Sequence, residues 1–127
     1  MSSRPPQAPT ILVIDDERAI LDIMTRSLTG AGFHVHAAGT AADARAFTKT
    51  QTPELIISDV MMPELDGPAL IKELKAAGVT CPVLFTSGDP SFRVVDESLR
   101  VPGATFLPKP FSPRELVDAV FETLGQR

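Results

Sequence analysis

Glu54-Leu-Ile-Ile-Ser-Asp59-Val-Met-Met-Pro63-Glu-Leu-Asp-Gly67 is the stretch on which the fold turns. No polar residue alternates among Leu55, Ile56 and Ile57, so the run predicts a strand buried on both faces. It ends on one carboxylate, Asp59, and a loop bearing Pro63 and Gly67 follows at once. Asp59 is therefore expected at the carboxyl end of a central strand, where open parallel α/β sheets hold their ligands.

The same pattern recurs on either side. Ile11-Leu-Val-Ile14 ends on Asp15, Asp16 and Glu17, and Pro82-Val-Leu-Phe-Thr86 runs out into Ser87-Gly88-Asp89-Pro90. Phe33-His-Val-His-Ala37 alternates instead, which leaves one wet face. Ala104-Thr-Phe-Leu-Pro108 ends on a residue that donates no ladder hydrogen bond. Both of these read as edge strands.

Helices are expected between the strands. Ile20, Ile23, Met24, Leu28 and Ala31 recur at spacings of three and four. Thr40 and Asp43 open a second helix, with Ala44 and Phe47 inward. Asp66-Gly-Pro68 opens a third, with Leu70, Leu74 and Ala77 inward. Asp89 as cap and Pro90 at the first turn open a fourth, anchored only by Phe92, Val95 and Leu99. Ser112, Pro113 and Glu115 open a fifth that runs to Gly125. Five strands alternating with five helices predict an α/β fold with a parallel sheet. Strands one, three and four inside with two and five at the edges fit the strand order 2-1-3-4-5, known for open parallel sheets of this class.

The totals narrow the function. At 127 residues the chain is expected to form one domain, residues 10–125, behind a Pro-rich leader, residues 1–9, read as disordered. A net charge of −4 argues against nucleic-acid or anionic-membrane binding, which needs a positive excess. No window approaches the ~20 apolar residues of a membrane span. The single cysteine, Cys81, forms no internal disulfide, which suits a cytoplasmic location. The starting Met and the leader favour a stand-alone chain over a piece of a longer one.

In the order 2-1-3-4-5, Asp15, Asp16 and Asp59 meet at one rim of the sheet. Carboxylates so close repel and raise one another's pKa values, a cost relieved when a hard cation takes their oxygens. Mg²⁺ suits, since it binds one or two carboxylates and keeps water or phosphate in its other positions. The fourth strand brings the Ser87 hydroxyl and the fifth brings Lys109. A carboxylate nucleophile with a cation, an ammonium and a hydroxyl around it fits phosphoryl transfer, with Asp59 forming an acyl phosphate.

These residues resemble the receiver domain of two-component response regulators, over roughly Thr10 to Gly125. The resemblance rests on Asp15-Asp16-Glu17, on Asp59 with Met62-Pro63 and Asp66-Gly67, on Ser87-Gly88, and on Lys109-Pro110-Phe111. It implies a flavodoxin-like (βα)5 three-layer sandwich. It implies that Asp59 accepts a phosphoryl group from a phosphohistidine on a sensor histidine kinase or a histidine phosphotransfer protein. Asp16, Asp59 and the Met61 backbone carbonyl would ligate Mg²⁺, with Asp15 acting through water. Lys109 would contact the phosphoryl group across a cis bond to Pro110. Ser87 would swing toward the phosphoryl group and Phe106 would turn inward behind it, altering a surface read by a downstream protein. Homodimerisation through the fourth and fifth helices stays open. Phe106 stands where Tyr is frequent, and the apolar Met61 cannot orient a hydrolytic water.

Such a chain would be no enzyme beyond self-limited phosphotransfer and autodephosphorylation. Two alternatives stand beside it. An aspartyl-phosphate phosphatase of the haloacid dehalogenase type wants a second carboxylate two residues after the nucleophile, where this chain has Met61. A degenerate receiver used as a scaffold would not need every site position filled. His34 and His36 share a strand face with no third ligand in view, and read as solvent-facing edge residues.

Overall fold

A computed structural model of the chain describes residues 8–63, 66–89 and 91–125. Five parallel strands, β1 (Thr10–Ile14), β2 (His34–Ala38), β3 (Leu55–Asp59), β4 (Val83–Ser87) and β5 (Ala104–Pro108), lie in the order β2-β1-β3-β4-β5. β3 and β4 are buried at every position, as their unbroken apolar runs require. Each fully buried Leu or Ile on them contributes about 1.5–3 kcal/mol of burial free energy.

The helices α1 (Arg18–Gly30), α2 (Ala41–Thr50), α3 (Gly67–Ala76), α4 (Phe92–Leu99) and α5 (Pro113–Leu124) cover both faces of the sheet. Alternation along the strands divides the core in two. Ile11, Val13, Leu55, Ile57 and Leu84 pack with Leu21, Met24 and Leu28 of α1 and Leu116 and Val120 of α5. Leu12, Ile14, Ile56, Val83 and Phe85 pack with Phe47 of α2 and Leu70, Ile71 and Leu74 of α3. The flavodoxin-like three-layer sandwich is thus the observed fold.

Capping follows the sequence for three helices. Thr40 Oγ1 accepts from the Asp43 N–H, Asp66 Oδ1 accepts from the Ala69 N–H, and Ser112 with Glu115 forms a reciprocal capping box. α4 is the exception: its cap is Ser91, whose Oγ accepts from the Val94 N–H, so the expected cap at Asp89 sits two residues too early. Pro90 and the Phe92 side chain lie outside the described residues, as does the leader over residues 1–7. Pro9 already belongs to the fold, its carbonyl accepting from the His34 N–H at 2.9 Å.

The inner faces differ at several positions. Ile23 is 46% exposed and Leu99 51% exposed, whereas Leu21, Ser98 and Val101 are buried. In α1 four apolar residues at 20, 21, 23 and 24 leave the helix phase open by a full residue, and contact with β2 and α5 selects Leu21 and Met24. In α4 the stripe turned to the core is Val94 and Ser98, four residues apart, on a helix that starts from Ser91. Ala77 is exposed because α3 ends one residue before it, and Ile71 takes the buried place. On β2, Ala38 is buried and Ala37 exposed, so the alternation breaks at the strand's end.

Candidate functional site

The carboxyl ends of β1, β3, β4 and β5 build one acidic pocket. Asp15 follows β1 directly, and its carboxylate is wholly buried. Both of its oxygens are engaged: Oδ1 accepts from the Glu17 N–H at 2.9 Å and Oδ2 from Lys109 Nζ at 2.9 Å. Asp16 is exposed beside it. Asp59 ends β3 and is 6% exposed. Oxygens of Asp15, Asp16 and Asp59 lie within 4.8 Å of one another. Among the described residues this is the one cluster with a metal-binding arrangement; His34 and His36 have no third ligand, and the His36 ring stacks on Phe47 with centroids 4.3 Å apart.

Lys109 comes from just beyond β5. Its backbone N–H donates to the Ser87 carbonyl at 2.8 Å, and its bond to Pro110 is cis. Its Nζ stands 3.7 Å from Asp59 and 3.5 Å from Glu17, in addition to the contact with Asp15. Burial alone would lower the Lys109 pKa, but the hydrogen bond and charge of Asp15, with the charges of Asp59 and Glu17, outweigh it and raise it. The lysine is therefore a permanent cation in the pocket. Burial pushes the Asp59 carboxyl up to about 6, helped by the charges of Asp15 and Asp16 and opposed by Lys109 and by the Met61 N–H that faces it.

The donor set fits a hard divalent cation. Asp15 has spent both oxygens on protein donors, which leaves Asp16 and Asp59 as the carboxylates free to ligate, and the Asp59 charge, disfavoured first by burial and then by Asp15 and Asp16, is one that a cation would stabilise.

Ser87 is buried at the end of β4, and its Oγ accepts from the Asp89 N–H at 3.0 Å. Asp89 Oδ1 in turn accepts from the Ser91 N–H at the start of α4. Phe106 stands opposite Phe85 in the register, half-buried against the cluster that includes Val94. Ser87 and Phe106 thus share the sheet face that α4 covers, while Asp15, Asp59 and Lys109 share the other. Met61 is 59% exposed at the pocket mouth.

Two features of the site escaped the sequence reading. Gly67 approaches so closely that a Cβ there would collide with the Asp59 carbonyl, and its N–H donates to the Val60 carbonyl at 2.6 Å. Its place after a cap residue signals only a helix start. Thr86 is buried next to Asp59 in the register, and a β-branched residue inside a strand gives no further signal.

Comparison with known proteins agrees with this geometry. A family model described as "Response regulator receiver domain" matches residues 11–121. The chain is 36% identical over 107 residues to the alkaline phosphatase synthesis transcriptional regulatory protein PhoP of Bacillus subtilis, covering 84% of this chain and 44% of that protein. It is 34% identical over 107 residues to the response regulator MprA of Mycobacterium avium, covering 84% and 47%. The chain therefore spans less than half the length of these relatives. Among solved structures, the chemotaxis protein CheY4 of Vibrio cholerae superposes with a TM-score of 0.86 at 26% identity, covering 91% of this chain and 98% of that one. A CheY-like receiver domain protein from Methanospirillum hungatei gives 0.85 at 26% identity, covering 94% and 96%.

Proposed function

From the premise that this chain belongs to the receiver-domain family of two-component response regulators, we propose that it is phosphorylated on Asp59 with Mg²⁺ in a His-to-Asp phosphorelay. The observation that carries this reading is the convergence on the buried Asp59 of Asp15, Asp16 and the Lys109 ammonium, 3.7 Å away.

In the reaction, one Asp59 carboxylate oxygen forms a bond to phosphorus as the bond from phosphorus to the donor's histidine nitrogen breaks. The electron pair stays on that nitrogen, which takes a proton from solvent. Lys109 neutralises charge on the phosphoryl oxygens from a fixed position, held by Asp15 and by the Ser87 carbonyl. Asp16, Asp59 and the Met61 carbonyl would hold Mg²⁺, with Asp15 contributing through water, and the ion would supply positive charge against the clustered carboxylates and the incoming phosphoryl group. The product is a self-limited modification, with no turnover beyond slow autodephosphorylation.

Ser87 and Phe106 carry the signal on this reading. Turning the Ser87 hydroxyl toward the phosphoryl group gives up the bond from Asp89 N–H, the link between Ser87 and the start of α4. Phe106 lies behind Ser87 on the same face and follows it inward. The donor is a sensor histidine kinase or a histidine phosphotransfer protein. The output is contact with a further protein or a second copy of this chain, a preference that the net charge of −4 supports over nucleic acid.

The test is intact-mass measurement after incubation with acetyl phosphate. One phosphoryl group is expected with Mg²⁺ present, and none with excess chelator or in Asp59→Asn. Undiminished labelling of the Asn variant rejects the site. The signalling route is tested by amide chemical shifts in Lys109→Ala: phosphodonor should leave the Phe106 region unmoved in the variant and shift it in the wild type. Equal shifts in both would reject the coupling.

A further inference from the structure

Among the described residues one buried side-chain polar atom, Thr86 Oγ1, has no hydrogen-bonding partner. Thr86 is wholly buried in β4. In the parallel register it stands beside Asp59 on one side and Leu107 on the other. Alternation gives its direction: Leu84, two residues earlier, packs under α1 and α5, as do Ile57 before Asp59 and Val13 before Asp15. The row across that face at the carboxyl edge is therefore Asp15, Asp59, Thr86, Leu107. Lys109 enters from beyond Leu107 and its Nζ ends at Asp15 and Asp59, so its stem crosses this row at Thr86.

A hydroxyl shut away from water without a partner is a net cost to the fold. Strand propensity accounts for threonine on a half-wet strand, but here valine would fill nearly the same volume without burying a polar atom. A cost carried beside the reactive carboxylate is accounted for if the hydroxyl meets its partner during the reaction.

We propose that Thr86 is a positioning residue for phosphoryl transfer. Its hydroxyl donates to the Asp59 carboxyl oxygen that does not bond phosphorus, and so holds the other oxygen toward the donor. In the resting arrangement the two groups make no hydrogen bond; the bond forms when the Asp59 carboxylate turns to meet phosphorus. After transfer the same oxygen is the acyl carbonyl, which still accepts the bond. The inference rests on the phosphoacceptor reading of Asp59.

The test compares wild type, Asp59→Asn, Thr86→Val and Thr86→Ser for the initial rate of modification by acetyl phosphate at fixed Mg²⁺, alongside thermal unfolding of each. Thr86→Val should be modified roughly tenfold more slowly while melting no lower than wild type, because the lost bond belongs to the reaction and not to the resting fold. Thr86→Ser, which keeps the hydroxyl, should recover a rate within about twofold of wild type. Wild-type rates in the Val variant, or a Ser variant as slow as Val, overturn the proposal. So does a Val variant that melts lower or fails to fold, since its hydroxyl would then have had a resting partner. Failure of the wild type to accept phosphate at all is a distinct result, and rejects the phosphoacceptor reading together with this inference.

Discussion

Asp59 is asked to be two things at once, a buried group and an anion. Its folded pKa, about 6, lies above its ordinary value of 3.8, chiefly because burial penalises the charge. A carboxyl raised in this way contributes stability that is fully present below the unfolded value and lost as pH rises through the folded one. Without a cation, therefore, the ionised site weakens the fold at neutral pH. In excess chelator, Asp59→Asn should gain on the wild type by about 1–3 kcal/mol between about pH 4 and about pH 7.5 in urea unfolding. A difference that stays constant across that range would contradict the assigned cause. Lys109 follows the same sign in a higher window: its raised pKa keeps its contribution intact until pH climbs past the ordinary lysine value. Asp15 needs that lysine, since both of its buried oxygens depend on donors supplied by the chain.

At the scale of elements, the loop from β3 into α3 is held by one glycine. A side chain at position 67 would strike the Asp59 carbonyl, so Gly67→Ala has to move either the strand end or the helix start. It should cost about 1–3 kcal/mol in denaturant unfolding and slow Asp59 phosphorylation with it. A variant as stable as the wild type would show that the loop has slack. Elements were legible in the sequence where one signal had no rival. Ile11–Ile14, Leu55–Ile57 and Val83–Phe85 are apolar without interruption, and Ser112-Pro113 with Glu115 leaves no ambiguity in a helix start. Where two residues could serve, the sequence did not choose. Asp89 and Ser91 are both good caps for α4, and only the packing of Val94 and Ser98 selects Ser91. Ile23 and Leu99 are apolar by type but exposed, because a helix carrying apolar residues on more than half its circumference can bury only the side its neighbours face.

The molecule as a whole explains why its acidic cluster could be foreseen when its helix phases could not. Strand order alone brings the ends of β1, β3, β4 and β5 to one edge, and parallel strands deliver whatever follows them to the same side. The meeting of Asp15, Asp16, Asp59 and Lys109 is thus a consequence of topology, readable from the pattern of five strands. Thr86 was not foreseen because its meaning depends on which face it occupies and on which atoms lie within reach. No segment of the chain contains the site by itself; Lys109 is 94 residues from its partner Asp15. The central claim, that this shared edge exists to load phosphate onto one carboxylate, is tested most directly by trapping the product. After acetyl phosphate and Mg²⁺, borohydride reduction converts an acyl phosphate to the alcohol, and peptide mass spectrometry then reads the modified position. Homoserine at position 59 and nowhere else is the result expected; an unreduced Asp59, or reduction at Asp15 or Asp16 instead, would contradict it.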